Sequence, residues 1–306
     1  MPARPVFLGT SGFAATVLRA VADSEHRPAL VITPPDRRQG RGRKVAPPPA
    51  AVAAKELGLD LHQANDVNAD EALARIAAAN PSVGVVCAFG QIIREPLLSQ
   101  PEMLNVHPSL LPRWRGAAPI ERALMAGDPS TGVTIMRLAE GLDSGPVALQ
   151  EPVEIRSEDD HEALEARLAK LGGKLMVRAL DLHAAGELAL TEQDEAGVTY
   201  AEKITPGDRR LDPALPGIEL ARAVRALTPH IGAHLELADG GRLGVRQARA
   251  EPGAAPRGAL VEADGELRLG TADGDLVLAV VQPPGGRPMP ADAYLRGHGV
   301  PELATS

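Results

Sequence analysis

The sequence predicts an α/β chain in two parts: a mostly parallel, doubly wound sheet followed by a small β-barrel. Three observations predict it. Short apolar runs alternate with stretches of helical spacing up to Ala184, glycine and proline crowd the region from Thr191 to Pro216, and beyond it short apolar runs recur at close intervals. A length of 306 residues exceeds the usual single-domain size, so two domains are expected.

In order, Pro5-Val6-Phe7-Leu8 is a buried-type strand, and Phe13 to Ala22 has the apolar spacing of a helix. The turn between them, Gly9-Thr10-Ser11-Gly12, lacks the third glycine of a dinucleotide fingerprint and the lysine of a P-loop. It reads as a tight structural turn rather than a phosphate cradle. Ala29 to Thr33 is a second strand. It opens into a glycine-spaced loop in which five basic residues, Arg37, Arg38, Arg41, Arg43 and Lys44, face the single acid Asp36. Such a composition is not expected to form a packed element. A solvated mobile loop and a flexible finger for a polyanion fit it equally well.

Pro47 to Leu57 and Asp70 to Ala79 are helices, with a short strand at Leu59 to His62 between them. Val83 to Cys87 and Met103 to His107 are strands, Pro119 to Met125 is a helix, and Gly132 to Leu138 and Val147 to Ile155 suggest an antiparallel edge. A long helix from Asp160 to Ala184 closes the first part. After the linker, Ile218 to Leu227 is helical, and strands are expected near Ala233–Leu237, Leu243–Val245, Gly258–Val261, Leu267–Leu269 and Leu276–Val280, separated by turns such as Asp239-Gly240-Gly241. The domain division expected is 1–190, a linker over 191–206, and 207–306.

The net charge of −8 argues against wholesale coating of a polyanion, and from Gly207 onward 11 Arg or Lys meet 13 Asp or Glu, so the second part is not basic either. One cysteine, Cys87, in the apolar run Val83-Gly84-Val85-Val86-Cys87, forbids an internal disulfide or a multi-cysteine zinc site. It is expected to be a buried structural thiol in a reducing compartment. No apolar run has the length of a signal peptide or membrane span, so a soluble cytoplasmic protein is expected.

The chemistry centres on the strand Met103 to His107. Its alternation puts Asn105 and His107 on one face, and Pro108 stops it. An amide and an imidazole at a strand end lie where ligands of open α/β sheets bind. Histidine holds or releases a proton near neutral pH, and asparagine can donate to a carbonyl oxygen without titrating. An acid completes the set, and Asp143 in Gly141-Leu142-Asp143-Ser144-Gly145 is the candidate, aimed by a glycine-flanked turn. Each residue also has a plainer use, as a structural histidine, a turn cap or an Asx turn, and spacing alone leaves both readings open. With no G-x-S-x-G elbow and no HExxH, covalent acyl transfer and metal hydrolysis lack local support.

The run His107-Pro108-Ser109-Leu110-Leu111-Pro112-Arg113-Trp114-Arg115-Gly116-Ala117-Ala118-Pro119, with Gly132-Val133-Thr134 and Gly141 to Gly145 after it, closely resembles the formyltetrahydrofolate-dependent transferases, and among them the branch acting on methionyl-tRNA. The resemblance extends to Gly9-Thr10, Phe13-Ala14, Pro35-Asp36-Arg37, Gly40-Arg41-Gly42, Tyr200-Ala201-Glu202-Lys203-Ile204 and Gln282 to Met289. It implies a Rossmann-type catalytic domain followed by an OB-like barrel that helps to hold tRNA. It further implies Asn105, His107 and Asp143 as the catalytic trio, Ser109, Leu110, Leu111 and Pro112 as a folate-binding segment, and Arg41 in a loop that enters the tRNA acceptor region. The expected reaction passes the formyl group of 10-formyltetrahydrofolate, a co-substrate, to the α-amino group of methionyl-initiator tRNA for translation initiation. No metal, no membrane and a monomer are expected with it.

The sequence departs from the family at Ser11-Gly12, where a proline and an acid often stand, and at Asp212-Pro213, often Asp-Trp. The near-neutral C-terminal part shifts the tRNA load onto the loop from Arg37 to Lys44. The alternative within the same chemistry is a formyltransferase acting on an amino-sugar nucleotide, which would have little use for that loop or for a terminal barrel.

Overall fold

The computed structural model describes residues 1–39 and 44–304, which resolve into two compact units. The first comprises Met1–Gly116, Thr131–Glu154 and Glu165–Tyr200; the second comprises Ala117–Ser130, Ile155–Leu164 and Ala201–Ser306. Two segments that precede the linker in sequence thus group with the C-terminal part.

The first unit is built on a seven-stranded sheet. Across it the strands run Val147–Glu154, Ser130–Arg137, Met103–His107, Val83–Cys87, Pro5–Gly9, Leu30–Thr33 and Leu61–Gln63. The five from Met103–His107 to Leu61–Gln63 pair in parallel, and Ser130–Arg137 pairs antiparallel with Met103–His107. This is the doubly wound, Rossmann-type order with an antiparallel edge. Parallel strands covered on both faces must be apolar throughout, and Pro5–Gly9, Leu30–Thr33 and Val83–Cys87 are buried at every residue. Each fully buried large side chain there, such as Phe7, Leu8 or Ile32, contributes about 1.5–3 kcal/mol of transfer free energy.

The Gly9–Gly12 turn behaves as a helix start. The Ser11 hydroxyl accepts the Ala14 N–H at 3.3 Å and caps the helix Gly12–Ala22, while Thr10 Oγ1 donates to the Phe89 carbonyl at 2.7 Å. The serine that departs from the family pattern therefore has a local use. Cys87 is buried, and burial pushes its thiol well above the ordinary range, as expected of a structural cysteine.

The basic loop corrects one expectation. Arg37–Gln39 and Lys44–Ala46 pair as the two arms of an antiparallel hairpin, with Arg38 opposite Val45. Backbone ladder bonds need no apolar core, so a charged, glycine-rich composition does not prevent pairing. Arg37 and Arg38 are exposed on the first arm, and Lys44 opens the second. Arg41 and Arg43 lie outside the described residues.

The second unit carries a six-stranded antiparallel sheet of small-barrel kind. Ala233–Glu236, Arg242–Glu251, Asp275–Gln282, Glu266–Gly270 and Leu260–Ala263 lie in that order, and Met289–Pro290 pairs with Asp275–Gln282. Leu220, Val224 and Leu227 of the helix Gly217–Leu227 join Leu235, Leu243, Val245, Leu267, Leu276, Leu278 and Tyr294 in its core. The strand Arg242–Glu251 is longer than the apolar run Leu243–Val245 suggests. A register shift between Val245 and Gln247 breaks the alternation, and the strand continues through polar residues on its open face. Among the described residues no helix is long and apolar enough to cross a membrane.

Candidate active site

Met103–His107 forms with the bounds the sequence predicts, and its last residue pairs with Thr134. Alternation places Asn105 and His107 on the same face, 9% and 4% exposed. The His107 ring is fixed at both nitrogens. Nε2 lies 2.9 Å from the Trp114 carbonyl, which can only accept, so Nε2 carries a hydrogen. Nδ1 lies 3.6 Å from Asp143 Oδ2, beyond a direct hydrogen bond but within ion-pair range. Nδ1 is therefore the nitrogen placed to exchange a proton with whatever enters beside Asp143.

Asp143 is held by its surroundings as firmly as His107. Its Oδ2 accepts the Gly116 N–H at 2.8 Å. Its own carbonyl and that of Gly145 accept both hydrogens of Gln193 Nε2, at 2.8 and 2.7 Å. The Gln193 Oε1 in turn accepts from Arg115 Nε at 3.0 Å, and Arg115 NH2 pairs with Glu195 Oε1 at 2.9 Å. Arg115 is buried, which shields its bond to Gln193 from competition by water, while Glu195 is exposed. Trp114 at φ 64° and Asp143 at φ 45° are both left-handed, which costs a non-glycine residue about 1–3 kcal/mol and marks a backbone held by its neighbours.

The glycines around Asp143 have distinct uses. A Cβ on Gly145 would stand 1.9 Å from the Arg137 carbonyl oxygen, so only glycine lets the loop close against the strand Ser130–Arg137. On Gly141 the Cβ would meet only the Ser144 hydroxyl, a movable side chain.

The segment Ser109–Pro112 builds the turn under the site. Ser109 is fully buried, its hydroxyl donating to the Arg113 carbonyl at 2.6 Å, and Thr134 Oγ1 donates to the Ser109 carbonyl at 2.7 Å while accepting Leu111 N–H at 3.1 Å. Leu111 is buried too, which leaves Leu110 and Pro112 as the partly exposed members. A cavity of about 840 Å³ opens elsewhere in the same unit, lined by Ile92, Ile93, Leu98, Met103, Arg137, Leu138 and Glu140 among others. It lies at the start of the strand Met103–His107 rather than at its His107 end, and it shares with Asp143 the loop that follows Arg137. Sequence reasoning missed these cavity residues and Gln193. A glutamine fifty residues from the aspartate it holds leaves no local periodicity or motif to find it by.

Residues 3–180 match the family described as Formyl transferase, and residues 203–299 match Formyl transferase, C-terminal domain. The chain belongs to the formyl transferase family. Its relatives include proteins named Methionyl-tRNA formyltransferase from Halorhodospira halophila, 44% identical over 97% of each chain, and from Ectopseudomonas mendocina, 42% identical over 94% of this chain and 92% of that one. Two solved structures are similar in fold at low identity. HypX from Aquifex aeolicus in complex with tetrahydrofolic acid matches with a TM-score of 0.66 at 18% identity over 100% of this chain and 49% of that one. The N-formyltransferase from Helicobacter canadensis with folinic acid and dTDP-3-aminofucose matches with a TM-score of 0.64 at 13% identity over 90% and 98%.

Proposed function

We propose that this chain transfers the formyl group of 10-formyltetrahydrofolate to the α-amino group of methionine esterified to initiator tRNA, and that Asn105, His107 and Asp143 carry the step. The observation behind the substrate choice is the agreement, over nearly both whole chains, with relatives of that name. The observation behind the residue roles is the aspartate held 3.6 Å from the outward nitrogen of a fixed imidazole.

The folate supplies a formyl carbon on N10. A C–N bond forms between that carbon and the attacking amine, the bond to N10 breaks, the amine loses a proton and N10 gains one. Negative charge builds on the formyl oxygen on the way. The Asn105 amide and a proton on His107 Nδ1 are the donors available to meet it, and preorganised donors of this kind are worth about 10²–10³ in rate. Asp143 faces His107 Nδ1 through Oδ2, and Oδ1, the oxygen not bonded to Gly116 N–H, takes the proton that the amine releases. Leu110 and Pro112 of the expected folate segment, the partly exposed members of the turn beside the trio, are the folate contacts this reading assigns.

For tRNA, the exposed Arg37 and Arg38, with Lys44 on the returning arm, are the phosphate contacts this reading assigns, and Arg41 and Arg43 belong to the same loop in sequence. The chain works as a monomer in the cytoplasm in this reading. The test is direct: supply 10-formyltetrahydrofolate with methionyl-tRNA, with free methionine, or with an amino-sugar nucleotide, and look for formylated product. Product with charged tRNA alone is the expected result; formylation of the sugar would replace this substrate with the alternative.

A further inference from the structure

Glu121, His161 and His230 come together in the second unit from three separate elements. Glu121 stands in the first turn of the helix Pro119–Ala126, His161 opens the helix His161–Ala185, and His230 follows the helix Gly217–Leu227 in the Thr228-Pro229-His230 loop. One donor atom from each lies within 4.8 Å of the others. His230 Nε2 is 3.0 Å and His161 Nε2 3.5 Å from the same oxygen, Glu121 Oε1. The edge of a tetrahedron of ligands at zinc bond lengths, about 2.0–2.1 Å, is roughly 3.3–3.4 Å, so these separations bracket the spacing of a coordination shell.

We propose that Glu121 Oε1, His161 Nε2 and His230 Nε2 bind one divalent cation of the zinc class, with water completing the shell. Two imidazoles and a carboxylate suit Zn²⁺ and its neighbours, whereas Mg²⁺ and Ca²⁺ select oxygen. The two rings lie 3.8 Å apart between centroids at 31°, and an entering ion requires them to turn until both Nε2 atoms face it. His230 can make that movement, because its side chain is 33% exposed on a loop, and the same opening admits the ion and the water. The ion would clasp three segments far apart in sequence, and it stabilises the second unit by mass action.

The test uses the full chain, stripped with chelator and titrated with ZnCl₂ by calorimetry and with Co²⁺ by visible absorption. One equivalent of Zn²⁺, the d–d bands of low-coordinate Co²⁺ and a rise in Tm with Zn²⁺ but not Mg²⁺ are expected. His230→Ala and Glu121→Gln should each lose affinity tenfold or more and lose the Co²⁺ bands, with folding checked by circular dichroism. His62→Ala, on a strand of the first unit, should bind as wild type does. Zn²⁺ binding no stronger than Mg²⁺ binding, or unchanged in both His230→Ala and Glu121→Gln, overturns the site.

Discussion

The strand end around His107 and the sheet of the second unit handle charge in opposite ways. At the strand end the two titratable groups are held by neutral partners: the Trp114 carbonyl for His107, the Gly116 N–H and the Gln193 amide for the Asp143 loop. Each also faces the other, Nδ1 of His107 lying 3.6 Å from Oδ2 of Asp143. In the C-terminal sheet two arginines meet carboxylates of the same sheet, Arg249 with Glu251 and Glu266, and Arg268 with Glu251, Glu266 and Asp275. Charges that cancel locally have little field left for a phosphate backbone. The contrast is between groups fixed by neutral hydrogen bonds in the first unit and charges paired with one another in the second.

The comparison is broken most easily at the Asp143 loop. In Gly145→Ala the new methyl meets the Arg137 carbonyl, so the loop and its aspartate must move. A misplacement of about 1 Å costs about 10²-fold, which is the fall in kcat expected, and wild-type turnover would show that the loop tolerates displacement. Gln193→Leu removes both hydrogen bonds under the loop while keeping its bulk. Two neutral bonds at about 1 kcal/mol each predict roughly a tenfold loss of kcat or more, with KM for folate nearly unchanged. A loss confined to Tm would make Gln193 purely structural.

Arg37→Ala with Arg38→Ala sharpens the other side. Removing two phosphate contacts should flatten the slope of log Kd for tRNA against log salt by roughly 2 and leave folate binding intact; an unaltered slope would move the tRNA contact elsewhere. The smallest effect belongs to Asp208, which Arg122 and Thr205 hold down to about 2 by hydrogen bonds. A depressed carboxyl lends stability that is full above its unfolded value, near 3.8, and fades as pH falls through about 2. Asp208→Asn should therefore lower Tm at neutral pH, where that contribution is full, and flatten the acid limb of Tm against pH between those values.

How far the sequence is legible follows the range of the interactions. Met103–His107 and Val83–Cys87 are found to the residue, because apolar runs closed by proline or glycine are local signals. Asp143 is singled out by a local signal too, a carboxylate between glycines, and it lies 3.6 Å from the His107 ring. The hairpin Arg37–Ala46 escapes because its pairing is carried by backbone bonds that composition does not report. The helix Ala291–His298 escapes because too little of it is apolar: only Ala291, Tyr294 and Leu295 are buried. The Arg115–Gln193 link and the Glu121, His161 and His230 cluster are made by tertiary contact alone, between residues whose neighbours in sequence carry no matching pattern.

The account stands on His107 and Asp143 acting as one unit on the formyl oxygen and the amine. The most direct test is kcat/KM with methionyl-tRNA for His107→Ala, Asp143→Asn and the double variant against the wild type, all checked as folded. Each single change is expected to cost about 10²–10⁴, and the double variant to fall within a few-fold of the worse single one, because residues acting together are not additive. A double variant slowed by the product of the two single effects, or either single variant at near-normal rate, would contradict it.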